Sequence, residues 1–578
     1  MSRTMKKVLC LGICMILLST LVSGCGKSKE KESPVQGTEA NTLDQVSEKD
    51  SAEKGSEEVK PMTFRYWSAD TTAGQMDDGY KSPVSQKIKE LTGVTIKKEF
   101  AVGDPREKLS FMAASGDYPD FIYALEYSNI VVDAGGFIQL DELIEKYGPN
   151  IKKLYGDYLP RLKYSEADPH IYFLGLPTVG EVKYEPESGF QLQHAVLKEL
   201  GYPKIETLKD YENAIKTYIE KYPEIDGKPT LGLSLLADDW RIKITVTNPA
   251  LFATGGPDDG EWYYDKSTGK AKLHLTRPEE KEYFRWLNHM NDIGLLDPES
   301  FIQKYDQYQA KIAEGRVLAL ADSKWEYVDA QQSLVAAGKP ERGYAQLPVV
   351  LDNAYKYADF RPAGYSGGYG VGISTSCKDP VAAIKFLDWM CSDEAQILFR
   401  WGIEGEHYDV VDGKRKFNDE TFRSWTEDAD FATKTGIGIY SWPWPGYGNG
   451  AVDANGDYYS PIFKDNIINS YTTPEKETLA AYGAEIWKDI FPSEENFEPS
   501  PCGVLWMINI PTDTEATVIM QKYDEITAKR IPAAILAKPE DFDMLWDYYQ
   551  KELVNANIGK LEEEFNHLIQ GKIKLWSK

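Results

Sequence analysis

The sequence predicts an α/β fold, and a run of local signals near its start carries that prediction. Residues 62–67 are rich in apolar side chains, as a strand is, and Ser82-Pro83 is an N-cap and first-turn pair that opens a helix. Residues 94–100 alternate apolar and polar side chains, residues 109–114 are helical in pattern, and residues 120–123 form a short buried strand. The order β-α-β-α-β favours a parallel sheet with helices on both faces.

Later elements are marked mainly by their ends. Thr207-x-x-Asp210 and Thr276-x-x-Glu279 have the pattern of capping boxes, so each predicts the start of a helix. Residues 262–264 and 270–275 flank a Ser-Thr-Gly turn and predict a hairpin. No repeat of solenoid length occurs, and no low-complexity linker follows residue 60. The pattern therefore favours lobes that share the chain rather than domains in series.

The first residues have the pattern of an export signal. Arg3, Lys6 and Lys7 precede an apolar run over residues 8–21, which is too short for a permanent membrane helix. The run ends at Val-Ser-Gly-Cys25, which resembles the lipobox of bacterial lipoproteins. We expect residues 1–24 to be a lipoprotein signal peptide and Cys25 to be the lipidated first residue of the mature chain. The alternative is an ordinary cleaved signal followed by an incidental cysteine.

Residues 25–60 are expected to be a disordered tether. They are mainly Lys, Glu, Ser, Gly and Thr without an aromatic side chain, so they cannot bury enough apolar surface to offset the entropy of ordering. A flexible chain of this length spans ~30 Å. Lipid and tether together predict a protein that touches a membrane through its anchor only.

Composition excludes several classes of protein. A net charge of -26 argues against a nucleic-acid partner, because such binding needs basic patches that release counterions. The mature chain keeps three cysteines, Cys377, Cys391 and Cys502, so no disulfide framework is predicted. With 42% hydrophobic residues the chain can bury one large core or two substantial ones, and no cofactor is expected.

A family resemblance adds to this prediction. Residues 108–122 read Lys-Leu-Ser-Phe-Met-Ala-Ala-Ser-Gly-Asp-Tyr-Pro-Asp-Phe-Ile and resemble family 1 extracellular solute-binding proteins, the group that includes maltose-binding protein. Further landmarks of its long lipoprotein branch follow in the same order, at residues 135–141, 171–177, 294–299, 318–325 and 401–408. The resemblance implies a two-lobed periplasmic-binding-protein-like fold of type II, with the ligand in a cleft between α/β lobes.

The same resemblance implies how the chain is divided. The N-lobe is expected to comprise residues 61–177 and 361–440, and the C-lobe residues 178–360. Residues 441–578 would return to the C-lobe and the cleft. The chain would cross between the lobes near Pro177 and again near residues 357–366.

Sugar sites need aromatic platforms and a few polar partners, and the candidates follow from that requirement. Trp325 closes a Gly, Ala and Trp run that resembles that of maltose-binding-like proteins. Other candidates follow predicted strands, lie in an aromatic loop or stand beside Gly-rich turns. The full expected set is Trp67, Asp70, Glu126, Trp240, Arg241, Trp325, Tyr365, Trp442 and Trp444.

Each candidate has an alternative. Trp325 and Trp67 could be core residues, Glu126 a solvated surface residue, and Arg241 one half of a surface ion pair with Trp240 beside it. Tyr365 could belong to a plain glycine turn. The aromatic loop that holds Trp442 and Trp444 could pack on its own domain.

Neither catalysis nor metal binding is predicted. Ser366 lies in a G-x-S-x-G pattern, with His407 and His567 downstream, but the residues that follow it read as a strand where a nucleophile elbow needs a helix. Residues 222–228 lie where several relatives have a calcium loop, but offer too few oxygen ligands. Asp453-x-Asn455-x-Asp457 lacks the glycine that an EF-hand needs at its sixth position.

The sequence therefore predicts a monomeric, non-enzymatic protein that binds an oligosaccharide and delivers it to the permease of an ABC importer. It would lie on the outer face of the cell membrane, and a lipid tether suits a Gram-positive cell, which has no outer membrane to retain its binding proteins. Two rivals are an exported glycoside hydrolase with two cleft carboxylates and a surface glycan sensor or adhesin.

Overall fold

Strands make up two main sheets and three small hairpins in the computed structural model, which describes residues 60–70 and 79–577. The predicted signal peptide, Cys25 and nearly all of the predicted tether lie outside the described residues. In chain order the strands are β1 (Met62–Ser68), β2 (Val94–Phe100), β3 (Phe121–Tyr123), β4 (Phe173–Gly175), β5 (Ser188–Gln193), β6 (Glu224–Ile225), β7 (Lys228–Pro229), β8 (Leu231–Ser234), β9 (Trp262–Asp265), β10 (Lys270–Leu273), β11 (Val317–Ser323), β12 (Tyr344–Leu347), β13 (Gly370–Ile373), β14 (Tyr408–Val411) and β15 (Lys414–Phe417).

Helices surround both main sheets. They are α1 (Pro83–Thr92), α2 (Pro105–Ser115), α3 (Ser128–Asp133), α4 (Asp141–Tyr147), α5 (Pro149–Tyr155), α6 (His194–Glu199), α7 (Leu208–Lys221), α8 (Asn248–Ala253), α9 (Glu280–Asp292), α10 (Tyr305–Ala313), α11 (Lys324–Ala336), α12 (Pro380–Met390), α13 (Asp393–Trp401), α14 (Asp419–Glu427), α15 (Phe431–Thr435), α16 (Lys464–Ser470), α17 (Thr473–Tyr482), α18 (Glu515–Ile535), α19 (Phe542–Asn555) and α20 (Ile558–Trp576). Within the described parts of the chain, none of these helices is both long and apolar enough to cross a membrane.

The first sheet has the order β2-β1-β3-β13-β4. Strand β1 pairs in parallel with β2 and β3, as the β-α-β pattern predicts. Strand β13 then lies antiparallel to both β3 and β4. The predicted parallel pairing is thus confirmed for β1, β2 and β3. A strand from a distant part of the chain adds antiparallel pairs, because it completes the sheet between two early strands.

Local sequence signals explain where several elements begin and end. Ser82 caps α1 by accepting a hydrogen bond from the Ser85 backbone amide, and Gly93 ends the helix with a left-handed φ of 72°. The predicted β9–β10 hairpin is present. The capping box of Thr207 and Asp210 opens α7, as predicted.

The second predicted capping box is wrong. Helix α9 begins at Glu280, and the Thr276 hydroxyl instead donates to the Leu273 carbonyl. Arg277 and His274 both pair with the buried Glu280 carboxylate, at 2.7 and 2.6 Å. This buried network holds residues 274–276 in a separate short 3-10 turn, so the helix starts later than the local pattern predicts.

The second sheet, with the order β12-β5-β11-β8, belongs to a separate core. Apolar side chains from 190–360 and 467–569 share this core, which we call the C-lobe core. Side chains from 64–179 and 365–444, with Met507, share the other large core, the N-lobe core. The chain thus passes repeatedly between the two lobes.

Segments that link the lobes pack side by side. After β4 the chain leaves the N-lobe core, and residues 445–466 leave it again beside the first crossing. There the Gly448 amide donates to the Val179 carbonyl and the Val182 amide to the Asn449 carbonyl, each at 2.8 Å. The two crossing segments are thus hydrogen-bonded to each other through their backbones.

Candidate functional site

Two tryptophans are stacked at one edge of the C-lobe sheet. Strands β8 and β11 are parallel neighbours, so their carboxyl ends meet at the same edge. Trp240 lies in the turn after β8, and Trp325 is the second residue of α11, directly after β11. Their ring centroids are 5.9 Å apart with an interplanar angle of 20°. Their exposed fractions are 42% and 38%, so the pair presents aromatic surface to solvent.

An ion pair lies next to the two tryptophans. The next residues in sequence, Arg241 and Glu326, are buried, and the Arg241 Nε lies 3.1 and 3.2 Å from the two Glu326 carboxylate oxygens. The Arg241 guanidinium also stacks 4.9 Å from the Trp240 ring centroid and 4.4 Å from that of Tyr305. This pair therefore fixes the segments that carry the tryptophans relative to each other.

The Arg241 side chain is held by acidic partners on the protein. Besides Glu326, its Nη1 donates to Asp239 Oδ2 at 2.8 Å. Burial raises the pKa of Glu326 to about 7, Arg241 opposes that rise, and the charges of Asp239 and Asp70 add to it. Asp70 belongs to the N-lobe, so charges of both lobes act on Glu326.

On the N-lobe side, Asp70 and Trp442 are brought together. Asp70 follows β1, and its Oδ2 accepts a hydrogen bond from the Trp442 indole nitrogen at 3.0 Å. The half-buried Trp442 ring lies edge-to-face against Tyr123, the last residue of β3, with centroids 6.3 Å apart. The carboxyl ends of two parallel strands thus position a carboxylate and an aromatic ring at the same place.

Glu126, three residues after β3, is within electrostatic range of charged residues of the C-lobe. Its side chain is exposed, but the surrounding protein raises the pKa of its carboxyl by desolvation. Lys243 lowers that pKa and Glu261 raises it, so both charges of the opposite lobe act on Glu126. Lys243 pairs with Glu261 and lies 3.2 Å from Asp524 Oδ1.

Sequence analysis missed Lys243, Glu261 and Asp524. They come from the π-helical turn Lys243–Thr247, the segment before β9, and α18, which are far apart in sequence. No local pattern marks such a group. Only the position of Lys243, two residues after Arg241, connects it to a residue predicted for the site.

Three predicted site residues lie in cores. Trp67, Tyr365 and Trp444 are only 2%, 3% and 1% exposed. Trp444 packs against Tyr66 with centroids 4.9 Å apart, and Tyr365 packs against Tyr155 at 5.7 Å. Neighbouring protein covers these rings, so they offer a ligand almost no surface.

The G-x-S-x-G motif has a structural environment unlike a nucleophile elbow. The Ser366 hydroxyl accepts a hydrogen bond from the Val504 amide at 3.0 Å, and strand β13 follows where the elbow needs a helix. His407 Nδ1 accepts from the Ile403 amide at 3.1 Å. Ser366 and His407 are thus each bound to backbone amides.

The two segments that resemble calcium-binding loops form ion pairs with basic residues. Asp226 lies in the turn between β6 and β7 and pairs with Lys339 at 2.6 Å. Asp453 and Asp457 both pair with Arg415, at 2.7 and 3.1 Å, so a guanidinium compensates their charge. Across residues 60–70 and 79–577, no group of three or more His, Cys, Asp or Glu side chains could hold a metal ion.

Comparison with known proteins decides the family. The profile described as bacterial extracellular solute-binding protein matches residues 84–401, more than half of the chain. The chain belongs to this family. Lipoprotein LipO of Bacillus subtilis (strain 168) is 23% identical to this solute-binding protein over 346 residues, which cover 58% of the chain and 65% of LipO.

The fructooligosaccharide ABC transporter substrate-binding protein FusA of Streptococcus pneumoniae serotype 4 is 25% identical over 263 residues, 43% of this chain and 47% of FusA. The matched regions thus span about two thirds of LipO and about half of FusA. These two relatives are similar to this solute-binding protein over part of their length.

Solved structures share the fold over nearly their whole length. FusA of S. pneumoniae in complex with kestose has a TM-score of 0.62 at 18% identity, covering 88% of this chain and 99% of that one. An HMO-binding, ABC-transporter-associated solute-binding protein from Bifidobacterium longum infantis has a TM-score of 0.61 at 15% identity, covering 89% of this chain and 100% of that one. The expected two-lobed α/β fold of solute-binding proteins is confirmed.

Proposed function

We propose that this solute-binding protein captures an oligosaccharide outside the cell and delivers it chemically unchanged to the permease of an ABC importer. The observation that carries the proposal is the exposed, stacked pair of Trp240 and Trp325. The neighbouring Glu326 feels the charge of Asp70 from the other lobe, so acidic side chains of both lobes lie close to this pair. Sugar rings have apolar faces and hydroxyl rims, so they need aromatic surface and hydrogen-bond acceptors together.

Each part of the site has a role in this proposal. Trp240 and Trp325 stack on sugar rings, and Arg241 with Glu326 keeps the two indoles in place without contacting the ligand. On the opposite face, Glu126 and Asp70 accept hydrogen bonds from hydroxyl groups. Trp442 orients Asp70 through the indole hydrogen bond already present.

Closure of the lobes completes binding. Rotation about the crossing segments brings the acidic face and the aromatic face onto one ligand, and the closed form is the one that the permease recognises. The relative named as a fructooligosaccharide ABC transporter substrate-binding protein supports a sugar ligand here, because this chain belongs to the same family of solute-binding proteins.

The location follows from the predicted anchor. Cys25 carries the lipid, residues 25–60 form the tether, and the two-lobed body acts as a monomer at the outer face of the membrane. The similarity to a protein named as a lipoprotein supports this anchor. The organism that makes the protein is, in this proposal, a Gram-positive bacterium without an outer membrane.

Titration calorimetry tests the proposal directly. A soluble form starting at Gly26 is titrated with a panel of plant and host oligosaccharides, as wild type, as Trp325→Ala and as the control Tyr548→Ala. Tyr548 is an exposed aromatic residue on α19 of the same lobe. We expect one class of glycan to bind, with affinity lost in Trp325→Ala only and with no sugar released on chromatography.

Other outcomes would overturn parts of the proposal. Product release that disappears in Glu126→Gln would indicate a glycoside hydrolase. Binding that Trp325→Ala leaves intact would refute the site while keeping the function. Normal oligosaccharide uptake in a deletion strain would favour a glycan sensor or adhesin over a transport protein.

A further inference from the structure

We infer that the cleft accepts glycans without acidic groups and rejects uronic acids and sulfated sugars, and that Glu126 determines this choice. The inference rests on the proposed function and specifies its ligand class. It depends on which charges around the cleft are already compensated by the protein.

Two cations beside the predicted site, Lys243 and Arg241, are compensated by carboxylates of the protein. Lys243 has two carboxylates around it, those of Glu261 and Asp524. Arg241 has two as well, those of Glu326 and Asp239. An acidic sugar would have to displace one of these internal pairs to obtain a cation, and each displacement would leave a carboxylate unpaired in a partly desolvated place.

Glu126 is in the opposite situation. Among the described residues it has no ion-pair partner within 4 Å, and its polar contact is with the neighbouring Tyr127 hydroxyl. Its carboxyl already has a raised pKa because the surrounding protein disfavours the charge. A second negative charge placed beside it in the closing cleft would be repelled more strongly than in open water.

One further cation lies at the rim. Arg106 of α2 stacks 5.6 Å from the Tyr127 ring centroid, and its charge acts on Asp524. Among the charged groups named so far for the site, six carboxylates stand against three cations: Asp70, Glu126, Asp239, Glu261, Glu326 and Asp524 against Lys243, Arg241 and Arg106.

Hydroxyl groups fit this arrangement. An unpaired carboxylate is a strong acceptor for a neutral O–H donor, and such a bond needs no counterion from the protein. The geometry therefore favours a sugar that donates hydrogen bonds to Glu126 while its ring stacks on Trp240 or Trp325.

The test compares one sugar with its own acidic form. The glycan that binds most tightly in the panel above is oxidised at its primary hydroxyl groups to the uronate, and both are titrated by calorimetry into wild type, Glu126→Gln and the control Glu142→Gln. Glu142 is an exposed residue of α4. Thermal melting verifies that each variant is folded.

We expect wild type and the control to bind the uronate at least tenfold more weakly than the neutral sugar. This difference in affinity between the uronate and the neutral sugar should be smaller at 1 M salt, where the screening length falls to about 3 Å. Glu126→Gln should reduce the ratio of the two dissociation constants at least threefold, even if it also weakens the neutral sugar by removing an acceptor.

The results that would contradict this inference differ from those that would contradict the proposed function. Equal or tighter binding of the uronate by wild type would overturn the inference and leave the proposed function standing, as would a panel in which only acidic glycans bind. An unchanged ratio in Glu126→Gln would refute the role of Glu126. A panel without any binding would overturn the proposed function and the inference with it.

Discussion

Tryptophans serve opposite purposes in the two lobes. In the N-lobe, Trp444 is covered on all sides and packs against Tyr66 and Phe121. In the C-lobe, Trp240 and Trp325 keep more than a third of their surface exposed, and the buried Arg241–Glu326 pair lies next to them. Hydrophobic packing thus fixes a ring by enclosing it, whereas an ion pair between the adjacent residues fixes a ring and leaves one face open.

The largest effect is expected from truncating the enclosed ring. Trp444→Ala should lower the free energy of unfolding by about 3–5 kcal/mol, because it removes a large buried side chain and leaves a cavity. Urea denaturation measures the change. A loss below about 1 kcal/mol would contradict the view that Trp444 is a core residue.

Removing one half of the ion pair comes next. Arg241→Met should cost about 3 kcal/mol near pH 8, since Glu326 would remain buried without its partner. The cost should be smaller at pH 5, where Glu326 takes up a proton. Urea denaturation at the two pH values measures both costs.

A double variant distinguishes the effect of the ion pair on protein stability from its effect on the spacing of the two indoles. Arg241→Met combined with Glu326→Leu should recover most of the stability but not the sugar affinity, because the stacked rings lose their fixed spacing. The near-UV circular dichroism of the coupled indoles reports that spacing. Full affinity in the double variant would show that the ion pair does not position the rings.

Truncating an exposed ring should change stability little and sugar affinity strongly, the opposite of what is expected for Trp444→Ala. Trp325→Ala is expected to change the free energy of unfolding by about 1 kcal/mol or less. It should weaken sugar binding at least tenfold, equivalent to about 1.4 kcal/mol. A large loss of stability would mean that Trp325 is structural after all.

A pH dependence of stability is expected from the buried Arg241–Glu326 pair. Glu326 has its pKa raised to about 7 by burial, from ~4.3 in an unfolded chain. The stability that follows from this raised pKa is present below pH ~4 and is lost as pH rises through 7. Melting temperature should therefore fall less steeply between pH 5 and 8 in Glu326→Gln than in wild type or in Glu563→Gln, an exposed control on α20. Equal slopes in all three proteins would contradict this assignment.

Short-range features of the fold were predictable, and long-range ones were not. Ser82 and Gly93 mark the ends of α1 because capping is a local interaction. The position of β13 could not be predicted, since it pairs Val371 with Tyr123 across a long stretch of chain. The two-lobed fold came from the family resemblance, and the structural comparisons confirm it.

The site was predictable in residue type but not in exposure. Strand and loop patterns place aromatic residues near the cleft, but they do not say which ring face is covered, as Trp67 and Trp444 illustrate. Trp240 and Trp325 are brought together as a pair that no spacing in the sequence indicates. Their contact with a ligand stays a prediction.

Strand β13 also determines when the first sheet can be completed during synthesis of the chain. It lies between β3 and β4, so the first sheet keeps a gap until residue 373 has been made, long after residues 62–175 have left the ribosome. A chain cut short before that residue leaves β4 without its neighbour and with unpaired backbone groups. The sheet of the N-lobe can therefore not be completed by a fragment that ends before β13, and such a fragment would expose an unpaired strand edge that favours aggregation.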